Sequence, residues 1–261
     1  MIRNIKGSII YYTFNSFDCY QVTHGFFTRH GGVSPDPWNS LNLGSTVGDS
    51  RINILENRKR LFKAINRSEE TIFDAWQVHG VNVICTNSPR IPNQPHEKAD
   101  IIITDNSSVT LLSRFADCVP ILLYDPIIKV VAIAHAGWQG TIKKIAKIAV
   151  TSMNEKYGCK TMNIIAGIGP SIGPDVYQIK EDVISSVMSN FPNNYSSFLN
   201  QKDGFVTFDL WKSNEFVLKT AGVENIEIGS ICTASNINDW YSYRRESGNT
   251  GRFAAVIALN R

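Results

Sequence analysis

Two short segments, Phe115-Ala116-Asp117-Cys118-Val119-Pro120 and Ala134-His135-Ala136-Gly137-Trp138, place a thiol and an imidazole one hairpin apart, and Gln77-Val78-His79-Gly80 lies upstream. Cys118, His79 and His135 together offer a thiolate and two imidazoles, a donor set that suits zinc. Three protein ligands leave one position for water or substrate, as in catalytic rather than structural zinc sites. Each residue alone also has a plainer reading: Cys118 as a small buried hydrophobe, His135 as a core histidine, His79 as a turn residue. The shared hairpin and the small residues beside Cys118 and His135 favour the joint one. Metal binding needs a deprotonated thiol and neutral imidazoles whose second nitrogens are held by acceptors. Asp117 or backbone carbonyls are the candidates, and Asp117 reads equally well as a turn residue or cap.

Two polar loops carry cations that could meet an anion. Phe27-Thr28-Arg29-His30-Gly31-Gly32-Val33-Ser34 follows an apolar strand, and Tyr243-Arg244-Arg245-Glu246-Ser247-Gly248-Asn249-Thr250-Gly251-Arg252 precedes one. Guanidinium groups beside glycines can hold phosphate or carboxylate through two-point hydrogen bonds. Either loop alone reads as a solvated turn. Gly167-Ile168-Gly169-Pro170 lacks both the P-loop lysine and the dinucleotide-binding spacing. His24, His30 and His96 show no pairing, and Cys19, Cys85, Cys159 and Cys232 read as structural.

The elements that must position these residues follow from periodicity. Apolar residues Ile52, Leu55, Leu61, Phe62 and Ile65 predict a helix over 49–66, capped at Asp49 or Ser50. Ile142, Ile145, Ala146, Ala149 and Met153 predict a second over 141–157, closed by Gly158. Strands are expected over 71–76, 81–86, 100–104, 109–115, 119–124, 130–135, 163–168, 226–231 and 253–259, with helices over 181–191 and 210–221. Consecutive strands in mixed order point to an α+β fold, and no linker or repeat divides the 261 residues into domains.

Composition narrows the class. A net charge of +3, from 26 basic and 23 acidic residues, gives no nucleic-acid surface, and no apolar run is long enough to span a bilayer. Five scattered cysteines read as reduced thiols, and with no apolar leader the expectation is a cytoplasmic protein.

The ordered motifs, from Phe27–Ser34, Ser40-Leu41-Asn42-Leu43-Gly44 and Val47-Gly48-Asp49 through the Cys and His segments to Tyr243-Arg244-Arg245 and Thr250-Gly251-Arg252, resemble the YfiH-like laccase-domain family over nearly the whole chain. The resemblance implies a single-domain α/β sandwich with mixed β-sheets flanked by helices, and metal ligands at His79, Cys118 and His135. It further implies zinc, with copper as the alternative metal, and catalysis on purine nucleosides: phosphorolysis of adenosine, inosine or methylthioadenosine, and deamination of adenosine. Catalysis would centre on His79, Cys118, His135 and Asp117. Arg29, Arg244, Arg245 and Arg252 are then candidates for phosphate and substrate binding. The family usually carries Arg or Lys after His-Ala-Gly-Trp, where this chain has Gln139.

The same residues allow rival accounts. Cys118 activated by His135 would make an amidase, and similar proteins have been linked to editing of cell-wall peptide precursors. Two imidazoles and a thiolate also suit copper oxidation of phenols, although a multicopper oxidase needs further histidine clusters and this chain has five histidines in all. A fourth ligand closing the zinc would make a non-catalytic binding module.

Overall fold

The computed structural model describes residues 1–20, 22–202 and 204–260. Its strands are β1 (Ile2–Lys6), β2 (Ile9–Thr13), β3 (Val22–Phe27), β4 (Ile72–Phe73), β5 (Val83–Cys85), β6 (Ile101–Thr104), β7 (Thr110–Phe115), β8 (Val119–Asp125), β9 (Val130–Ala136), β10 (Ile165–Ile168), β11 (Gln178–Ile179), β12 (Leu199–Lys202), β13 (Phe205–Phe208), β14 (Asn225–Ile228) and β15 (Phe253–Leu259). Among the described residues six α-helices accompany them: α1 (Asn15–Asp18), α2 (Arg51–Ala64), α3 (Trp138–Ile142), α4 (Ile145–Tyr157), α5 (Glu181–Asn190) and α6 (Leu210–Thr220).

The strands form two six-stranded sheets, ordered β1-β2-β3-β15-β7-β4 and β14-β10-β8-β9-β6-β5, and a small sheet β11-β13-β12. Both large sheets mix parallel and antiparallel pairs, as the α+β reading expects. Their facing surfaces enclose an aromatic-rich core of Phe14, Phe26, Leu111, Phe115, Leu122, Ile133 and Phe253. α4 and α6 cover the outer face of the second sheet and α2 that of the first, so β8, β9 and β15 are buried along their whole length. Coverage on both faces is why these strands read as unbroken apolar runs rather than alternating ones. Gly167-Ile168-Gly169 is a packing device: a Cβ at Gly167 would fall 2.1 Å from the Phe14 ring, and one at Gly169 would fall 2.3 Å from that of Phe26. Among the described residues no helix is long and apolar enough to cross a membrane.

Two helix expectations need correction. On α2 the buried residues are Ile54, Asn57, Leu61 and Phe62, whereas Ile52 is 78% exposed and Leu55 40%. The polar side chain of Asn57 belongs to the inward face because it bonds Ser34, Ser40 and Asn42, so the expected stripe lies off the true one. Ser50 is the cap, its hydroxyl accepting from the Ile52 amide. The stretch 141–157 is two helices, since Lys144 turns left-handed (φ 60°) between α3 and α4. The apolar stripe continues across that break, and Gly158 closes α4 at φ 73° as expected. The expected strand over 71–76 shrinks to β4, because Asp74 and Gln77 turn their polar groups to Arg114 instead of to a ladder.

Candidate active site

β8 and β9 pair antiparallel with Pro120 opposite His135, which brings Cys118 and His135 together at one end of the hairpin. His79 arrives from the turn between β4 and β5. Ligand atoms of His79, Cys118 and His135 lie within 4.8 Å of one another, and the two imidazoles meet edge to face with centroids 4.8 Å apart. Gly137 leaves the space they occupy, since a Cβ there would sit 2.9 Å from His79 Nδ1 and 3.1 Å from Cys118 Sγ.

The organiser of this cluster is Asp100, at the threshold of β6. Its Oδ1 lies 2.8 Å from His135 Nδ1 and also accepts from the His79 amide at 3.0 Å. Its Oδ2 accepts from the amides of Gly80 at 2.7 Å and Val78 at 3.2 Å. One buried carboxylate therefore fixes the ring of one ligand and the left-handed backbone (φ 57°) of another. Asp117, expected to hold the imidazoles, faces elsewhere: it accepts from Thr233 Oγ1 at 2.7 Å and the Arg244 amide at 2.6 Å. The positive φ of 83° at Asp117 directs its carboxylate toward the 233–244 segment, so it anchors the arginine loop.

Burial pushes the Cys118 thiol up, but the neighbouring His135 and His79 outweigh it and hold the thiol at about 6. Burial lowers His135 in turn, and Cys118 and Asp100 more than reverse this, to about 9. Thiolate and imidazolium thus coexist near neutrality. A thiolate flanked by two imidazoles, with no Cβ in the space between them, fits a divalent ion, and its arrival would displace the His135 proton.

The trio lies in a cavity of about 600 Å³ whose walls include Trp76, Trp138, Tyr177, Tyr243, Arg114, Arg244 and Arg252. Of the four arginines expected to bind phosphate or substrate, Arg244 and Arg252 line this cavity. Arg244 stacks over Tyr177 at 5.0 Å, with Nη1 donating to the Gln178 carbonyl. Arg29 is instead structural, bonded to Asn39, Ile237 and Glu246 and stacked on Tyr241. Arg245 is exposed and outside the cavity wall, and Gln139, half-buried on α3, also lies outside it.

The remaining histidines serve other partners: His24 Nε2 accepts from the Phe14 amide, His30 meets Asp239, and His96 meets Asp74. Sequence reasoning missed Asp100, Arg114 and Tyr177. The first had a usable signal, an acid opening an apolar strand that ends level with the ligands.

A family model described as multi-copper polyphenol oxidoreductase laccase matches residues 23–260. A purine nucleoside phosphorylase of Deinococcus radiodurans is 35% identical over 240 residues, covering 92% of this chain and 90% of the relative. Purine nucleoside phosphorylase YlmD of Bacillus subtilis is 34% identical over 248 residues, covering 92% and 89%. Among solved structures, YlmD from Geobacillus stearothermophilus superposes with a TM-score of 0.91 at 31% identity, over 100% of this chain and 99% of that one. The Bacillus licheniformis hypothetical protein YfiH gives 0.88 at 32% identity, over 98% and 97%. This chain belongs to the multi-copper polyphenol oxidoreductase laccase family, the YfiH-like family that its motifs resemble.

Proposed function

We propose that the chain is a zinc-dependent purine nucleoside phosphorylase acting on adenosine, inosine and methylthioadenosine, with a second activity as an adenosine deaminase. The observation that carries this reading is the convergence of His79, Cys118 and His135 in a cavity with aromatic and guanidinium walls. Relatives named purine nucleoside phosphorylase at 34–35% identity support it.

Phosphorolysis breaks the C1′–N9 bond of the nucleoside, forms a C1′–O bond to phosphate, and delivers a proton to the departing base. Trp138 and Tyr243 line the cavity with aromatic surface for purine and ribose, and Tyr177, covered by Arg244, backs that wall. Arg244 and Arg252 supply positive charge for the anionic partner, in a cavity where such charges are worth more than in water. Asp100 holds His135 in one orientation, and Asp117 holds the Arg244 backbone. A zinc ion on the three donors would polarise the substrate and acidify water, the property that deamination requires.

A cysteine-amidase reading that edits cell-wall peptide precursors draws on one specific observation, the Cys118–His135–Asp100 array, which has the order of nucleophile, base and orienting acid. One experiment separates the two. Metal-quantified protein is incubated with adenosine, inosine and a cell-wall nucleotide-peptide, with and without phosphate, and products are followed by mass. Phosphate-dependent release of free base, lost together with bound metal in Cys118→Ala, is the expected result. Amide cleavage with a covalent thiol adduct and no metal would replace the phosphorylase reading with the amidase one.

A further inference from the structure

We propose that Ser45, Thr46, Arg114 and Arg252 form a subsite for inorganic phosphate on the cavity wall. The assignment rests on the phosphorolysis reading above for the identity of the anion, and on four features of the wall for its place.

Arg114, on β7, donates from Nε to the Leu43 carbonyl at 2.6 Å and from Nη2 to Asp74 at 2.6 Å, and its Nη1 has no protein partner among the described residues. Asp74 is shared with Arg90 at 2.7 Å, so one carboxylate serves two guanidiniums and net positive charge remains. Arg252, just before β15, has its guanidinium over the Tyr243 ring at 5.6 Å, and among the described residues its side chain hydrogen-bonds only through Nη1, to the carbonyls of Thr250 and Gly251. Its Nε and Nη2 are free of protein acceptors among the described residues.

Both side chains flank the same short segment. Arg114 holds the carbonyl of Leu43, and Arg252 packs so closely over Gly44 that a Cβ there would lie 2.7 Å from Arg252 Cγ. The next two residues, Ser45 and Thr46, are exposed, line the same cavity, and carry hydroxyls with no protein partner among the described residues. Two guanidiniums and two hydroxyls at one wall match the acceptor-rich, tetrahedral surface of phosphate.

The wall is built rather than incidental. Asn42, fully buried, accepts at Oδ1 from the amides of both Gly44 (2.9 Å) and Arg252 (2.8 Å). Its Nδ2 donates to Asp49 at 2.9 Å and its carbonyl accepts from Asn57 at 2.8 Å. The motifs Ser40-Leu41-Asn42-Leu43-Gly44 and Val47-Gly48-Asp49 thereby join the 43–46 turn to the entry of β15. Among the described residues no carboxylate oxygen is hydrogen-bonded to Arg252: Asp117 accepts from Thr233 and Arg244, and Glu246 from Arg29, Ser242 and Thr250.

The test is calorimetric titration of inorganic phosphate into the full chain at low ionic strength, comparing wild type with Ser45→Ala/Thr46→Ala, Arg252→Gln and Arg245→Ala. The double variant touches only exposed hydroxyls and keeps the fold. It should bind phosphate about tenfold more weakly. Arg252→Gln should lose detectable binding, and Arg245→Ala, which removes a charge outside the cavity, should match wild type. Absence of binding by wild type, or equal affinity in all four proteins, overturns the subsite. Initial rates on inosine keep the two proposals apart. Phosphate binding as expected without phosphate-dependent base release would leave the subsite standing and sink the phosphorylase reading. Base release whose KM for phosphate does not move in the double variant or in Arg252→Gln would do the reverse.

Discussion

Asp100 and His135 are joined twice: the carboxylate of Asp100 lies 2.8 Å from His135 Nδ1, and the Asp100 carbonyl accepts from the His135 amide at 2.8 Å. The backbone bond fixes where the strand end lies, and the side-chain bond fixes how the imidazole turns. With Nδ1 committed to the carboxylate, Nε2 is the nitrogen left to face Cys118 and a metal.

Asp100→Asn tests that division of labour. The neutral amide cannot match the carboxylate as acceptor for a ligand histidine and three amides at once, so metal affinity should fall by 10–100-fold, the usual cost of losing a partner that orients a ligand. Competition with a chromogenic chelator measures it directly. Wild-type affinity in the variant would show that His135 needs no orienting group.

Gly137→Ala isolates space from conformation. Gly137 has φ −69° and ψ 175°, which alanine adopts freely, so the added methyl acts only by crowding His79 and Cys118. The variant should fold with an unchanged circular dichroism spectrum and carry well under half the wild-type metal. Full metal content would mean that the His79 turn yields easily.

Much of this was legible in the sequence, and the residues show where legibility ends. Cys118 and His135 are partners across one hairpin, a local relation that alternating turns and strands reveal. Asp100 acts on positions 21 and 35 residues away, and no periodicity announces which acid will face which turn. Arg29 and Arg252 look alike as loop arginines, yet one is spent on backbone carbonyls, a carboxylate and the Tyr241 ring while the other faces the cavity. Only the side-by-side pairing of β3, β15 and β7 in one sheet decides between them. Helix stripes gave the right buried set across 142–153, since α3 and α4 pack on the same sheet. On α2 a buried asparagine network outweighed apolar spacing and rotated the inward face.

His24 makes stability depend on pH in a defined window. Burial holds its ring at about 4, against 6.5 when unfolded, and the neutral ring must keep Nε2 free to accept from the Phe14 amide at 2.8 Å. Between those two values the unfolded chain binds a proton that the folded chain does not, so unfolding free energy falls as pH drops from 6.5 toward 4. The full loss is about 3 kcal/mol. Urea unfolding across this range should show a steeper decline for wild type than for His24→Gln. Parallel curves would mean that the ring is protonated in the fold.

Asp74 works in the opposite protonation sense and at lower pH. It is 1% exposed and bonded to Arg90 at 2.7 Å, Arg114 at 2.6 Å and His96 at 3.2 Å. Burial alone would raise its carboxyl; Arg114 and His96 reverse that and hold it well below the usual carboxylate range. Its stabilising contribution is therefore complete above the unfolded value near 3.8 and fades as pH falls from there toward the depressed folded value. Asp74→Asn leaves two guanidiniums without their shared counter-charge and should cost about 3 kcal/mol at pH 7. Because the variant has no carboxylate to protonate, its deficit against wild type should narrow between pH 4 and pH 3. Chemical denaturation at pH 7, 4 and 3 reads both numbers. A deficit that stays constant to pH 3 would show that the charge on Asp74 is not what holds Arg90 and Arg114 in place.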